Sequence, residues 1–165
     1  MKNFLLNFLL FAIGALFLIL PPAEAEEPST PLPIPRFVSL KSEEANLRSG
    51  PGKRYPILWV YHKEGMPMEV IEEYNEWRKV RDMEGSAGWL HKGLLSGART
   101  AIIRNPKQII RRSPSSSAAP AFAAAKNVLG KLSKCDRDWC NIKIDGNQGW
   151  VEKNAIWGAY PAEVF

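Results

Sequence analysis

The apolar positions of the chain fall in short runs divided by turn residues. Phe37-Val-Ser-Leu40 predicts a first strand and Leu58-Trp-Val-Tyr61 another. Between them Gly50-Pro51-Gly52 forces a turn, because glycine takes backbone angles that other residues avoid. Glu64-Gly-Met-Pro67 is a second turn, Met68 to Tyr74 alternates in part, and Asn75-Glu76 leads into a strand from Trp77 to Arg81. Five or so short strands, with turns every ~8–12 residues, predict a small β barrel.

The pattern occurs twice. Trp77 corresponds to Trp139, Val80 to Ile142, and Gly88-Trp89 to Gly149-Trp150. Met83-Glu-Gly-Ser-Ala-Gly faces Asp145-Gly-Asn-Gln-Gly, one residue shorter. A repeat of this kind fixes the architecture before any single residue does. In 165 residues it predicts two very small domains, at 36–97 and 98–165. Units of ~60 residues bury only about 60% of the surface their unfolded chain exposes, so each is expected to lean on its neighbour.

The second copy is the more divergent. Ile110-Arg-Arg-Ser-Pro114 stands where Leu47-Arg-Ser-Gly-Pro51 stood, with Ser113 replacing the flexible glycine. Ser115 to Ala125 is alanine-rich and low in complexity, which predicts a loose loop or one short helix begun at Pro120. Asn127 to Leu132 returns to a strand pattern, and from Cys135 the correspondence is firm.

Ahead of the barrels, Lys2 precedes a seventeen-residue apolar run from Phe4 to Leu20, and Pro21-Pro22 ends it. Ala23-Glu24-Ala25 offers small residues where a signal peptidase reads, so a leader over 1–25, cleaved after Ala25, is expected. The rival is an uncleaved anchor, though the run falls short of the ~20 residues that span a bilayer. The expected location is therefore periplasmic or secreted. Residues 26–35 hold four prolines and predict a semi-rigid tether.

Charge is distributed unevenly. Residues 26–84 carry nine bases and eleven acids, 85–135 nine bases and no acid, and 136–165 three bases and five acids. Arg99, Arg104, Lys107, Arg111 and Arg112 are candidate contacts for an anionic polymer or an anionic membrane surface. A lysine-rich surface that only aids solubility is the plainer alternative. Nucleic acid also fits a basic stretch, but export removes the protein from it.

Cys135 and Cys140 are expected to form a disulfide in an exported chain, across a tight hairpin. Metal ligation or a reactive thiol are the other readings. His62 and His91, both in the first unit, are far from these cysteines in sequence. Glu73 and Arg78 hold the cysteine positions in the first unit, where an exposed ion pair is expected to contribute ~0–1 kcal/mol. No catalytic constellation, metal site or cofactor motif emerges, so no enzyme activity is expected.

Asn46-Leu-Arg-Ser-Gly-Pro-Gly52, Glu64-Gly, Glu76-Trp-Arg-Lys-Val80, Gly88-Trp-Leu90 and Leu94-Leu95 together resemble the bacterial SH3-like (SH3b) domain. The resemblance implies an all-β fold of two SH3-like barrels in tandem, the second degenerate and held by the disulfide. It also implies a non-catalytic envelope-binding module of an exported protein. The expected ligand is peptidoglycan or its stem peptides; the alternative is a protein–protein adaptor that takes an extended peptide. Candidate contacts are Arg48, Tyr55, Trp59, Tyr61 and Trp77, while Trp89 and Trp150 are expected to close the cores. The second copy reads as a structural partner of the first.

Overall fold

The computed structural model describes residues 30–165. The expected leader and the first part of the tether lie outside the described residues. The first barrel consists of β1 (Arg36–Leu40), β2 (Ala45–Arg48), β3 (Ile57–Tyr61), β4 (Pro67–Tyr74), β5 (Trp77–Arg81), β6 (Ala87–His91) and β7 (Leu95–Ser96). The second consists of β8 (Thr100–Ile103), β9 (Lys107–Arg111), β10 (Pro120–Ala125), β11 (Leu129–Cys135), β12 (Trp139–Ile144), β13 (Asn147–Glu152) and β14 (Ile156–Trp157). A one-turn 3-10 helix precedes the last strand of each, at Lys92–Leu94 and Lys153–Ala155.

The two seven-stranded sheets share one topology. The order is β3-β2-β6-β5-β4-β1-β7 in the first and β10-β9-β13-β12-β11-β8-β14 in the second, strand for equivalent strand. The register agrees too: Val80 faces Gly88 and Trp77 faces His91, as Ile142 faces Gly149 and Trp139 faces Glu152. All-β architecture in two tandem SH3-like barrels is thus what the repeat encodes. The hairpin turns follow local chemistry. Asp145 (φ 46°) and Gly146 (φ 83°) both take left-handed angles, the arrangement that matches the twist of paired strands. Asn75 (φ 47°) serves the β4–β5 turn.

Each barrel has its own core. Leu40, Leu47, Met68, Val70, Val80 and Leu90 fill the first. Ile103, Ile110, Leu132, Ile142, Val151 and Ile156 fill the second. Alternation along the strands sends these residues inward and their neighbours out. Neither Trp89 nor Trp150 joins its core cluster: Trp89 is buried under the ammonium of Lys79, 5.9 Å from its ring centre, and Trp150 is half-buried under that of Lys134, at 5.0 Å.

The alanine-rich stretch departs from expectation. Pro120–Ala125 is neither loop nor helix but β10, paired antiparallel with β9 from Lys107 to Arg111. Alanine's helix preference is worth a few tenths of a kcal/mol per residue, and a row of strand hydrogen bonds overrides it. Pro120 is tolerated because it begins a strand at the sheet edge.

The barrels pack against each other through aromatic rings. Phe37 of β1 meets Trp157 edge-on at 5.1 Å and Tyr160 at 4.7 Å between ring centres. The Tyr160 hydroxyl donates to Glu69 of β4 at 3.0 Å. Arg99, between the barrels, makes a two-pronged pair with Glu163 at 2.5 and 2.9 Å.

Candidate binding clefts

The loop between β2 and β3 is built around Arg48. Its Nη1 donates to the carbonyls of Lys53 at 3.1 Å and Tyr55 at 2.8 Å, fastening the loop to the end of β2. The second barrel repeats the device, Arg111 Nη1 donating to the Ala118 carbonyl at 2.7 Å. Arg48 pairs with Ile57 and Arg111 with Pro120, so the two loops have equal length despite their unlike sequences. Both guanidiniums therefore act first as loop pins. The Tyr55 ring lies on the glycine turn: a Cβ at Gly50 would stand 2.5 Å from Tyr55 Cδ1. Arg54 sits 5.2 Å over the same ring.

Trp77 begins β5 and His91 ends β6, and their rings meet edge-on at 5.5 Å. They form one wall of a cleft of about 270 Å³ that Asn46, Arg48, Lys53 and Leu94 complete. The His91 Nδ1 accepts from the Gly93 amide at 3.1 Å, which fixes the imidazole. The structure thus brings Arg48 and Trp77 together with Lys53 of the loop between β2 and β3, and adds His91, which sequence reasoning missed. The repeat register held the signal for His91, since aligning Val80 with Gly88 puts it opposite Trp77.

The other candidates go elsewhere. Trp59 is 61% exposed on β3, an edge strand, between Leu58 and the half-buried Val60. Tyr61 is only 5% exposed, and its hydroxyl donates to Asp82 Oδ2 at 2.8 Å. It belongs to the core, not to a contact face. Burial first, then the hydrogen bond to Asp82, raises its pKa.

The basic candidates also divide. Arg99 is committed to Glu163 and to the Gly158 carbonyl at 2.7 Å, and its guanidinium covers Phe165 at 4.4 Å. It is a junction residue, not a free contact. Arg104, Lys107 and Arg112 are exposed, while Arg111 is half-buried as the loop pin.

Cys135 and Cys140 are joined in a disulfide across the β11–β12 hairpin. In the first barrel Glu73 and Arg78 occupy the equivalent pair of positions, at 3.1 Å. That pair is buried, not exposed as expected, and Arg36 adds a second contact to Glu73 at 2.5 Å. Thr30 Oγ1 reaches both oxygens of the carboxylate at 2.9 Å, so the end of the tether is fastened to the barrel. Burial pushes the Glu73 carboxyl up, but the donors Arg36 and Thr30 and the charge of Arg78 together hold it below the ordinary value.

The second barrel has the equivalent cleft, enlarged. Trp139 and Glu152 stand where Trp77 and His91 stand. Here the cavity opens to about 880 Å³ and runs past Trp157 and Tyr160 to Phe37 and Glu69 of the first barrel. Among the described residues no cluster of side chains fits a metal ion, and no helix is long and apolar enough to cross a membrane.

The repeated strand order and the two loop pins are matched by sequence relationship. The chain belongs to the bacterial SH3 domain family, whose model matches residues 41–97 and again 105–158, together more than half of the chain. Among curated proteins it is 24% identical over 128 residues to the Bacillus subtilis (strain 168) protein named "Putative N-acetylmuramoyl-L-alanine amidase YrvJ". That alignment takes in 71% of this chain, which spans about a quarter (24%) of the relative. Among solved structures it is similar to NlpC2 from Trichomonas vaginalis, at 12% identity and a TM-score of 0.36, over 76% of this chain and 49% of that one. It is also similar to an NlpC/P60 family protein from Bacillus cereus ATCC 10987, at 14% identity and a TM-score of 0.34, over 73% and 55%. Superpositions this loose add nothing to the strand order described above.

Proposed function

We propose that the protein is a non-catalytic, exported module that associates with the cell wall through the Trp77 cleft of its first barrel. The observation that carries this reading is the cleft itself. A half-exposed indole, fixed edge-on by His91, lines a hollow of about 270 Å³ that Arg48 and Lys53 also line. Membership of the bacterial SH3 family supports it, as does similarity to part of the protein named "Putative N-acetylmuramoyl-L-alanine amidase YrvJ". Peptidoglycan or its stem peptides are the ligand proposed. Arg104, Lys107 and Arg112 would add salt-sensitive attraction to anionic polymer.

The test is sedimentation with purified, insoluble peptidoglycan, using protein expressed with its own N-terminal segment. Co-sedimentation that is lost in Trp77→Ala, and lowered by 0.5 M salt, supports the reading. Protein that stays in the supernatant at every salt concentration overturns it.

One observation favours the adaptor reading as well. Ile57, Leu58 and Trp59 are 48%, 53% and 61% exposed in sequence on edge strand β3. An edge of this kind can accept an extended peptide as an added strand. Capture of a peptide partner that resists high salt and fails in Trp59→Lys would favour it over wall binding.

A further inference from the structure

The two clefts share an origin but differ in charge. In the first barrel the ionisable side chains are Arg48, Lys53 and His91, with no carboxylate. In the second, Glu152 replaces His91 and the cavity gains Arg104, Arg137 and Asp138. Most other charges near the junction are already engaged. Glu69 accepts from Arg81 and Tyr160, and Glu163 is paired with Arg99. Lys153 gives its ammonium to the carbonyls of Arg137, Pro161 and Glu163. By contrast Arg104, Arg137, Asp138 and Glu152 make no ion pair among the described residues. Two free cations and two free carboxylates thus border one cavity whose wall includes the indole of Trp139.

The loop that carries three of these residues is held in place. Asp136 Oδ1 accepts the amides of Asp138 at 3.1 Å and Trp139 at 2.8 Å. The Asp138 carbonyl accepts the Lys153 amide at 3.0 Å. The Cys135–Cys140 disulfide closes the same loop at its base. A site ordered before its ligand arrives loses less entropy on binding. This gives the disulfide a role beyond stability: it holds Arg137, Asp138 and Trp139 at the cavity.

We propose that the junction cavity of the second barrel is a binding site for a short peptide carrying both a carboxylate and a free amine. The volume, about 880 Å³, lies in the range of small-ligand sites. Charges of both signs disfavour a purely anionic polymer and match an amphoteric ligand. The inference goes beyond wall association through Trp77, since it concerns a different cleft with a different set of charges, and either can fail alone.

The experiment is a ¹⁵N-resolved NMR titration of the oxidised protein with the free tripeptide lysyl-alanyl-glutamate at millimolar concentration. The same titration is run with N-acetyl-glutaminyl-alanyl-glutamine amide, which has the shape without the charges. Saturating shifts are expected at the amides of Arg137 to Trp139 and the indoles of Trp139 and Trp157. Affinity should fall at least about tenfold for the uncharged peptide, and likewise in Arg137→Gln/Asp138→Asn. Both substitutions are on the surface, and the spectrum itself reports that the fold is kept. Reduction of the disulfide should weaken binding while the first barrel's resonances stay in place. Trp77→Ala shows whether any shifts belong to the other cleft. No saturable shift, equal shifts with the uncharged peptide, or shifts that vanish in Trp77→Ala would each overturn the proposal.

Discussion

Glu73 and Arg78 face each other across the β4–β5 hairpin at the register position that Cys135 and Cys140 hold across β11–β12. One repeat closes its hairpin with a buried ion pair and the other with a covalent bond. The two devices fail differently. Removing one partner of a buried pair strands the other charge and costs ~3–5 kcal/mol. Opening a disulfide that closes so short a loop costs roughly 2 kcal/mol on the chain-entropy model. Glu73→Gln is therefore expected to lower stability in urea by more than reduction of the protein does. A loss below ~1 kcal/mol would mean that the pair is effectively solvated.

The same carboxylate predicts an acid limit. Burial raises the Glu73 pKa, but Arg36, Thr30 and Arg78 outweigh it and the net shift is downward from 4.5. Glu163 behaves alike: burial raises it, while Arg99 and the Tyr160 amide bring it below 4.5. A carboxyl with a depressed folded pKa contributes stability above its unfolded pKa and loses it as pH falls through the folded one. Unfolding midpoints should therefore decline as pH drops below about 4.5. The decline should be shallower in Glu73→Gln, measured against its own value at pH 7.

Trp59 and Tyr61 lie two residues apart on β3 and should respond in opposite ways. Trp59→Lys removes an exposed ring and should change stability by under ~0.5 kcal/mol. Tyr61→Phe removes the donor to Oδ2 of the buried Asp82, whose Oδ1 keeps the Ser86 amide, and should cost ~1–3 kcal/mol. Thermal melts of the two variants are sufficient. Equal effects would contradict the burial difference on which the assignment of Tyr61 to the core depends.

Much of this was legible in the sequence, because the repeat is written in local chemistry. Turn residues, paired tryptophans and the cysteine spacing all lie within a hairpin's length of their partners. What escaped depends on residues distant in sequence. Arg99 belongs to a basic stretch by sequence, yet Glu163 claims it from 64 positions away. Tyr61 shares a strand face with Trp59 by period, and only the closing of the barrel decides that one ring is covered and the other left bare. The Ala121 to Ala125 strand carries helix-forming residues, and its pairing with β9 is a tertiary fact. The enlarged second cleft is a property of two barrels together, so no reading of one repeat could contain it.

Gly88 and Gly149 are a matched pair that tests the shared topology. A Cβ at Gly88 would stand 2.7 Å from Leu47 Cγ and 2.8 Å from the Arg48 carbonyl oxygen. At Gly149 it would stand 2.7 Å from Ile110 Cγ2 and 2.8 Å from the Arg111 carbonyl oxygen. Alanine at either site must push away the strand that carries the loop pin. Each substitution should cost ~1–3 kcal/mol. Gly88→Ala should also shift the amide resonances of the Arg48–Tyr55 loop, and Gly149→Ala those of Arg111–Ala118. If either variant keeps full stability, the close approach of the strands is not as described.

Phe37 decides whether the barrels unfold together. It is 7% exposed although it belongs to the first barrel, because Trp157 and Tyr160 of the second cover it. Small units of this size gain from such a neighbour. Phe37→Ala removes both ring contacts and weakens the surroundings of the Tyr160–Glu69 bond; truncating a buried phenylalanine costs ~3–5 kcal/mol. Phe37 is not part of the first core cluster, so the loss falls on the coupling between the barrels. Calorimetry should therefore show one transition for the native protein and two for Phe37→Ala, with reduction of the disulfide lowering only the second barrel's transition. Hydrogen exchange assigns them, the β4–β5 amides following one and the β11–β12 amides the other. A single transition in the variant, lowered as a whole, would mean that Arg99, Glu163 and the remaining contacts couple the barrels without the ring.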